Sequence, residues 1–169
     1  SGHETVADAM SDAALASFVQ RMVMDDIIPA LQPSPIDLKR YAEATFARFR
    51  NPAIHHRLSQ IAWDGSQKLP YRLLDTILEA RASGRPIERL VVPIAAWILF
   101  LERQARAAAP IADPLADTLR ARARSNDPID QILGLREVFP ESLGRDAAFQ
   151  KAVKDSASQL RPRGVAEGR

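Results

Sequence analysis

Residues 48–70 read RFRNPAIHHRLSQIAWDGSQKLP, and the order of breakers within this stretch decides what kind of fold the chain can build. Asn51 precedes Pro52, whose ring pushes it towards extended backbone and ends the helix that comes before. A short helix is predicted through His56 to Trp63. Asp64-Gly65-Ser66 then supplies a turn, and a further helix is predicted from about Pro70 to Ala82, with Gly84 closing it. No segment alternates apolar and polar residues as a half-buried strand does, so the stretch is helix, break, helix.

The same grammar extends in both directions. A first helix is predicted from about Glu4 to Ile28, carrying Val6, Met10, Phe18, Met22 and Ile28 among its apolar positions and ending before Pro29. Ser34 is the expected N-cap, with Pro35 at the first helical position, of a helix over Ile36 to Phe49. Pro86 to Arg106 carries the most apolar helix, with Pro93 near its start or as a kink. Asp113-Pro114 and Asp127-Pro128 each pair a capping residue with a helix-starting proline, which predicts helices over Leu115 to Arg124 and Ile129 to Val138. A last helix is expected over about Arg145 to Leu160. The fold class is therefore all-α, a single multi-helix domain over residues 1–160 with a flexible basic tail over 161–169. No repeat or long linker divides it.

Composition narrows the function. With 169 residues and 46% apolar content, one domain can bury roughly two-thirds of its unfolded surface. Cysteine is absent, which excludes disulfides and thiolate metal sites and makes the cytoplasm the expected location. The apolar run LVVPIAAWILFL over Leu90 to Leu101 falls short of the ~20 residues that a membrane-spanning helix needs. Basic and acidic residues number 23 and 21, a mixed surface and not the basic face of a nucleic-acid binder. The exception, Arg161, Arg163 and Arg169 among Pro, Gly and Glu, reads as a solvated tail. Neither a nucleic-acid nor a membrane partner is expected.

Polar residues of the opening stretch are the candidates for chemistry. Lys68 lies just past a tight turn, where an ammonium can donate to a substrate hydroxyl or carboxylate; a solvated lysine satisfies the same spacing. His55 and His56 point about 100° apart on a helix, so they do not ligate one ion together, and no metal is expected. His56 and Gln60 are four apart and would share a helix face, either lining a polar pocket beside Lys68 or pairing locally. The Asn51 amide can cap the next helix or reach a ligand. Trp63 and Trp97 read as core aromatics. Glycine-rich phosphate loops are missing, so no dinucleotide site is expected in the chain.

The stretch Gln60-Ile-Ala-Trp-Asp-Gly-Ser-Gln-Lys68-Leu-Pro70 resembles the signature of the mannitol dehydrogenase family, the long-chain polyol and fructuronate (mannonate) oxidoreductases. Gly2-His-Glu-Thr-Val-Ala-Asp-Ala-Met10 and Ala112-Asp-Pro-Leu-Ala116 are similar to further parts of that family. The resemblance implies a helical C-terminal domain that completes a substrate pocket, while an N-terminal Rossmann-like domain, not contained in these residues, holds NAD or NADP. Ser1 in place of an initiating Met fits residues encoded upstream. The family's general base, a lysine with a nearby asparagine and histidine, belongs to a helix just before the residues matching Gly2 to Met10. Here the lysines are at 39, 68, 151 and 154 and the asparagines at 51 and 126, and no lysine is followed by an Asn and then a His at that helical spacing. No catalytic residue is therefore expected within the chain, and none of the family's hydride transfer when it is alone.

What the resemblance carries over is a substrate-binding set of Lys68, Gln60, His56 and Asn51. Gln60 stands where polyol-oxidising members tend to have arginine, a neutral donor and acceptor in place of a charged fork. The implied function is the substrate domain of an NAD-dependent oxidoreductase acting on a secondary alcohol of a sugar alcohol or hexuronate. The expected partners are the nucleotide-binding domain and a small polyol or uronate. The alternative is a free-standing, non-catalytic helical interaction module, in which the polar patch around His56 and Lys68 docks a protein.

Overall fold

Helices form where the three- and four-residue apolar spacing places them, and a computed structural model describes them over residues 3–161. Among the described residues, extended pairing is confined to an isolated antiparallel bridge between Thr5 and Arg57. The all-α expectation is met. The chain divides into two compact units, Ser1–Arg89 and Leu90–Arg169. The boundary falls inside a continuous helix, which is why no linker composition marks it.

The first unit opens with α1 (Val6–Ser11) and α2 (Ala13–Arg21), where one continuous helix was expected. The break is Asp12, whose carboxylate accepts the backbone N–H groups of Ala14 and Leu15 at 2.9 and 3.1 Å. This is the local competition that makes Asp a cap in preference to an interior residue. A π-helical segment, π1 (Met22–Ile27), leads into α3 (Ile28–Ala30), so Pro29 does not end the run. A second π segment, π2 (Pro70–Leu74), lies between α6 (Gly65–Leu69) and α7 (Asp75–Ala82). Both prolines sit beside a stretch where the α ladder is already interrupted, so the missing N–H removes no ordinary α bond.

Between these runs lie α4 (Leu38–Phe49) and α5 (Leu58–Ile61). Asp37, not Ser34, caps α4, accepting from Arg40 N at 3.1 Å; Ser34 Oγ instead accepts from Ile36 N at 3.3 Å. Met10, Ala16, Ile28, Ala42 and Phe46 form one core cluster, against which Val6, Val19, Val23, Met24, Leu38 and Phe49 pack. Gly84 ends α7 at φ 65°, with its N–H on Arg81 O and that of Arg85 on Ala80 O, the paired bonds of a glycine C-terminal cap. Arg89 holds Asp26, which is only 8% exposed, through Nε at 2.8 Å, and reaches Asp25 at 3.1 Å.

Helix α8 (Glu88–Arg106) keeps Pro93 in its second turn. In the second unit it is followed by α9 (Ala116–Ala123), α10 (Pro128–Leu133), α11 (Glu141–Gly144) and α12 (Ala147–Leu160). Asp113 does not cap α9 but closes its own turn, accepting from Leu115 N at 2.9 Å. Arg120 and Arg124 donate to the carbonyls of Gln104, Ala109 and Ala105, placing cations where the end of α8 leaves acceptors open. Asp146 caps α12 through Phe149 N at 2.7 Å. Ile94, Ile98, Ile132, Leu133, Leu143, Phe149 and Val153 are wholly buried. Arg161, assigned from sequence to the basic tail, donates to both oxygens of the buried Glu102 at 3.1 and 3.3 Å. Arg163 and Arg169 lie outside the described residues.

Lys154 of α12 sits 2.7 Å from Asp130 of α10. The lysine's hydrogen bond holds the Asp130 carboxyl below its ordinary value of 3.8. In return the Asp130 bond raises Lys154 above 10.5. The lowered acid stabilises the fold above pH 3.8, and that contribution fades as pH falls through the lowered value; the raised base stabilises below pH 10.5 and fades above it. Lys154→Met is therefore expected to cost about 0.5 kcal/mol at neutral pH, the scale of an exposed pair. In melting curves from pH 7 to pH 2 the gap to the unsubstituted chain should close only in the acid limb; a gap constant over that range would count against the pair.

Candidate functional site

The corner between α5 and α6 is built by Asp64, which takes up the left-handed region at φ 56°, ψ 39°. Short polar side chains such as Asp tolerate that region better than most residues. Its carbonyl then accepts the N–H groups of both Gln67 and Lys68 at 3.0 Å, starting the next helix. From the last turn of α6 the Lys68 ammonium reaches back over the corner to the carbonyls of Ile61 at 3.3 Å and Trp63 at 2.5 Å. These acceptors lie at the C-terminal end of α5, where the helix dipole favours a cation. An ammonium has three protons, so two brace the turn and one remains. Lys68 is half-buried, and its backbone bonds fix where that proton is offered.

The other three sequence candidates fall on the approach to this corner. Gln60 lies on α5, exposed, and its carbonyl accepts Trp63 N at 3.4 Å. His56 is not on a helix: its carbonyl accepts Val6 N at 3.0 Å and Leu58 N bonds Glu4 O at 2.9 Å. The helix expected through His56 begins only at Leu58, so the shared face proposed for His56 and Gln60 does not form. Pairing with the 4–6 segment holds the backbone extended there. Asn51 uses its side-chain oxygen on Ala53 N at 3.0 Å, closing its own turn and capping no helix. Among the described residues, no hydrogen bond joins any two of these four side chains. Trp63, read from sequence as a core aromatic, is 52% exposed, because it follows the end of α5 at the corner and its backbone, not its ring, is what the fold engages.

The bridge between Thr5 and Arg57 creates a feature that no local motif announces. Beside it opens a cleft of about 500 Å³ lined by His3, Glu4, Thr5, Arg57 and Ser59, within the size range of small-molecule sites. His3 Nε2 lies 3.7 Å from Asp12, and Thr5 Oγ1 accepts from Asp8 N at 3.1 Å. Arg57 is exposed, and among the described residues it makes no ion pair. Residues 3–5 and 57–59 are more than fifty positions apart, so only the cation's place inside the opening stretch hinted at it. Among the described residues no cluster of metal-ligating side chains occurs, and no helix is long and apolar enough to cross a membrane.

The fold is a helical domain whose α5–α6 corner is braced by a lysine, and comparison with known proteins makes the assignment specific. Residues 1–161 match the family model described as the mannitol dehydrogenase C-terminal domain. The chain belongs to the mannitol dehydrogenase family. It is 34% identical to the oxidoreductase YeiQ of Escherichia coli (strain K12), with 95% of the chain covering 34% of that protein. It is also 34% identical to the D-mannonate oxidoreductase of the same strain, with 98% of the chain covering 35% of that protein. The solved ternary complex of Pseudomonas fluorescens mannitol 2-dehydrogenase with NAD and D-mannitol superposes at a TM-score of 0.86 and 28% identity, over 96% of this chain and 34% of that one. The chain thus spans about a third of the length of the relatives it matches.

Proposed function

We propose that these residues are the substrate-binding C-terminal domain of an NAD-dependent oxidoreductase acting on a secondary alcohol of a sugar alcohol or a hexuronate, of the mannitol/fructose or mannonate/fructuronate type. The observation that carries this reading is Lys68: a half-buried ammonium locked by two carbonyls over the Asp64 corner, with one proton left to donate. A donor fixed by backbone presents its charge without reorganising when a hydroxyl or carbonyl oxygen arrives. Gln60 on the preceding helix, and His56 and Asn51 before it, complete the proposed set.

The cofactor is proposed to belong to residues outside this chain. NAD or NADP is ordinarily held in a crevice at the ends of parallel strands, above a glycine-rich turn; the described residues hold a lone bridge and no sheet, so they do not fit that role. The partner in this reading is a nucleotide-binding domain, and the setting is cytoplasmic. The test is to purify the product of the whole reading frame that encodes these residues and to follow NADH oxidation with fructuronate and with fructose, beside the 169-residue chain alone. The whole product is expected to reduce one of the two, and the chain alone neither. A whole product inert towards both, or an isolated chain as active as the whole, would sink the reading.

A further inference from the structure

We propose that the cleft at the Thr5–Arg57 bridge receives the carboxylate end of a six-carbon sugar acid, and that Arg57 is the residue that selects an acid over a neutral polyol. This rests on the substrate-domain reading above and sharpens its substrate class. The residues around the cleft form a complementary set. Arg57 offers a planar guanidinium that no acid of the described residues neutralises, and such a fork matches a carboxylate in two parallel bonds. Glu4 and the Ser59 hydroxyl line the same cleft; they accept from, or exchange hydrogen bonds with, the hydroxyls that flank a sugar acid's carboxylate. A neutral polyol would leave the guanidinium without an anion. A fatty or aromatic acid would use the guanidinium but offer no hydroxyl to Glu4 and Ser59.

Position in the chain supports the same choice. Arg57 comes one residue before α5, the helix that carries Gln60 and ends in the carbonyl held by Lys68.

The test is a titration of the ¹⁵N-labelled 169-residue chain with D-mannonate, D-mannitol and acetate, for the unsubstituted protein and for Arg57→Gln. Mannonate is expected to shift the Arg57 side-chain Nε signal and the amides of residues 3–5 and 59. Mannitol and acetate at equal concentration should leave Arg57 unmoved. Arg57→Gln removes a side chain without an ion-pair partner, so the rest of its spectrum should overlay the original, and its mannonate affinity should fall at least about tenfold, the scale of one charge-assisted pair. Equal affinity in both proteins, or an acetate response matching that of mannonate, would overturn the assignment. So would mannonate shifts confined to Lys68 and Gln60, though that pattern leaves the substrate-domain reading standing. Silence towards all three ligands would also overturn it, and the activity assay on the whole reading frame then decides the broader reading separately.

Discussion

Replacing Gly144 with alanine is expected to destabilise the second unit more than the same change at Gly134, where a Cβ would stand 3.3 Å from its nearest neighbour. A Cβ at this position would stand 2.5 Å from the carbonyl oxygen of Leu133 and 3.6 Å from its carbonyl carbon. The obstacle is backbone, not a side chain that can change rotamer. Leu133 closes α10, and the N–H groups of Gly134 and Leu135 bond Asp130 and Ile132 at 2.9 and 3.0 Å, so the carbonyl cannot retreat without breaking the end of that helix. Gly144 is equally tied, its N–H on Pro140 O at 2.8 Å and its own carbonyl accepting from Gln150 at 2.7 Å. Overpacking against fixed atoms costs about 3 kcal/mol, which for a chain of this size lowers Tm by roughly 6–12 °C. Gly84→Ala is the informative control. There a Cβ meets open space and only the φ of 65° resists it, so the expected cost is about 1 kcal/mol. Thermal melts that rank Gly84→Ala as the worse of the two, or that leave Gly144→Ala within a degree of the original, would refute the packing argument.

The contrast between these glycines shows where sequence reading succeeds and where it stops. Gly84 was legible as a helix terminator because its role is local: a positive φ needs no knowledge of what lies across the fold. Gly144 carries no local signal, since its constraint comes from a carbonyl eleven residues away. The same division runs through the elements. Helical spacing and proline breaks located the helices, but the choice among nearby caps turned on geometry, so Asp37 took the place expected of Ser34 and Asp12 split a helix expected to be continuous. At the site, the Asp64 corner and Lys68 were visible as turn chemistry. Arg57 and the cleft beside it were not, because they depend on the pairing of residues 4–6 with residues 56–58, and two short segments so far apart in the chain declare no periodicity. That pairing is also what removed His56 from the helix on which its spacing to Gln60 had placed it.

Lys68→Met is expected to reduce kcat/KM of the whole reading-frame product about 10- to 100-fold, the scale of one lost hydrogen bond from a charged donor. The ammonium has one task in the fold and a second in the proposed function, and each makes a separable forecast. As a brace it satisfies the carbonyls of Ile61 and Trp63. Those oxygens are open to water at an exposed corner, so losing the brace should cost only about 1 kcal/mol of stability and speed hydrogen exchange at the amides of residues 62–64. As the donor proposed above it would offer its remaining proton to the substrate, and that loss should appear in kcat/KM at temperatures far below the melting transition. Lys68→Arg separates the tasks, since guanidinium keeps the charge but spreads its donors in a plane and cannot place them over two converging carbonyls and a ligand at once. It should recover part of the stability and little of the activity. If Met and Arg variants both lost stability yet kept full kcat/KM, Lys68 would be a brace alone, and the substrate's polar contacts would have to come from Gln60 and the Arg57 cleft instead.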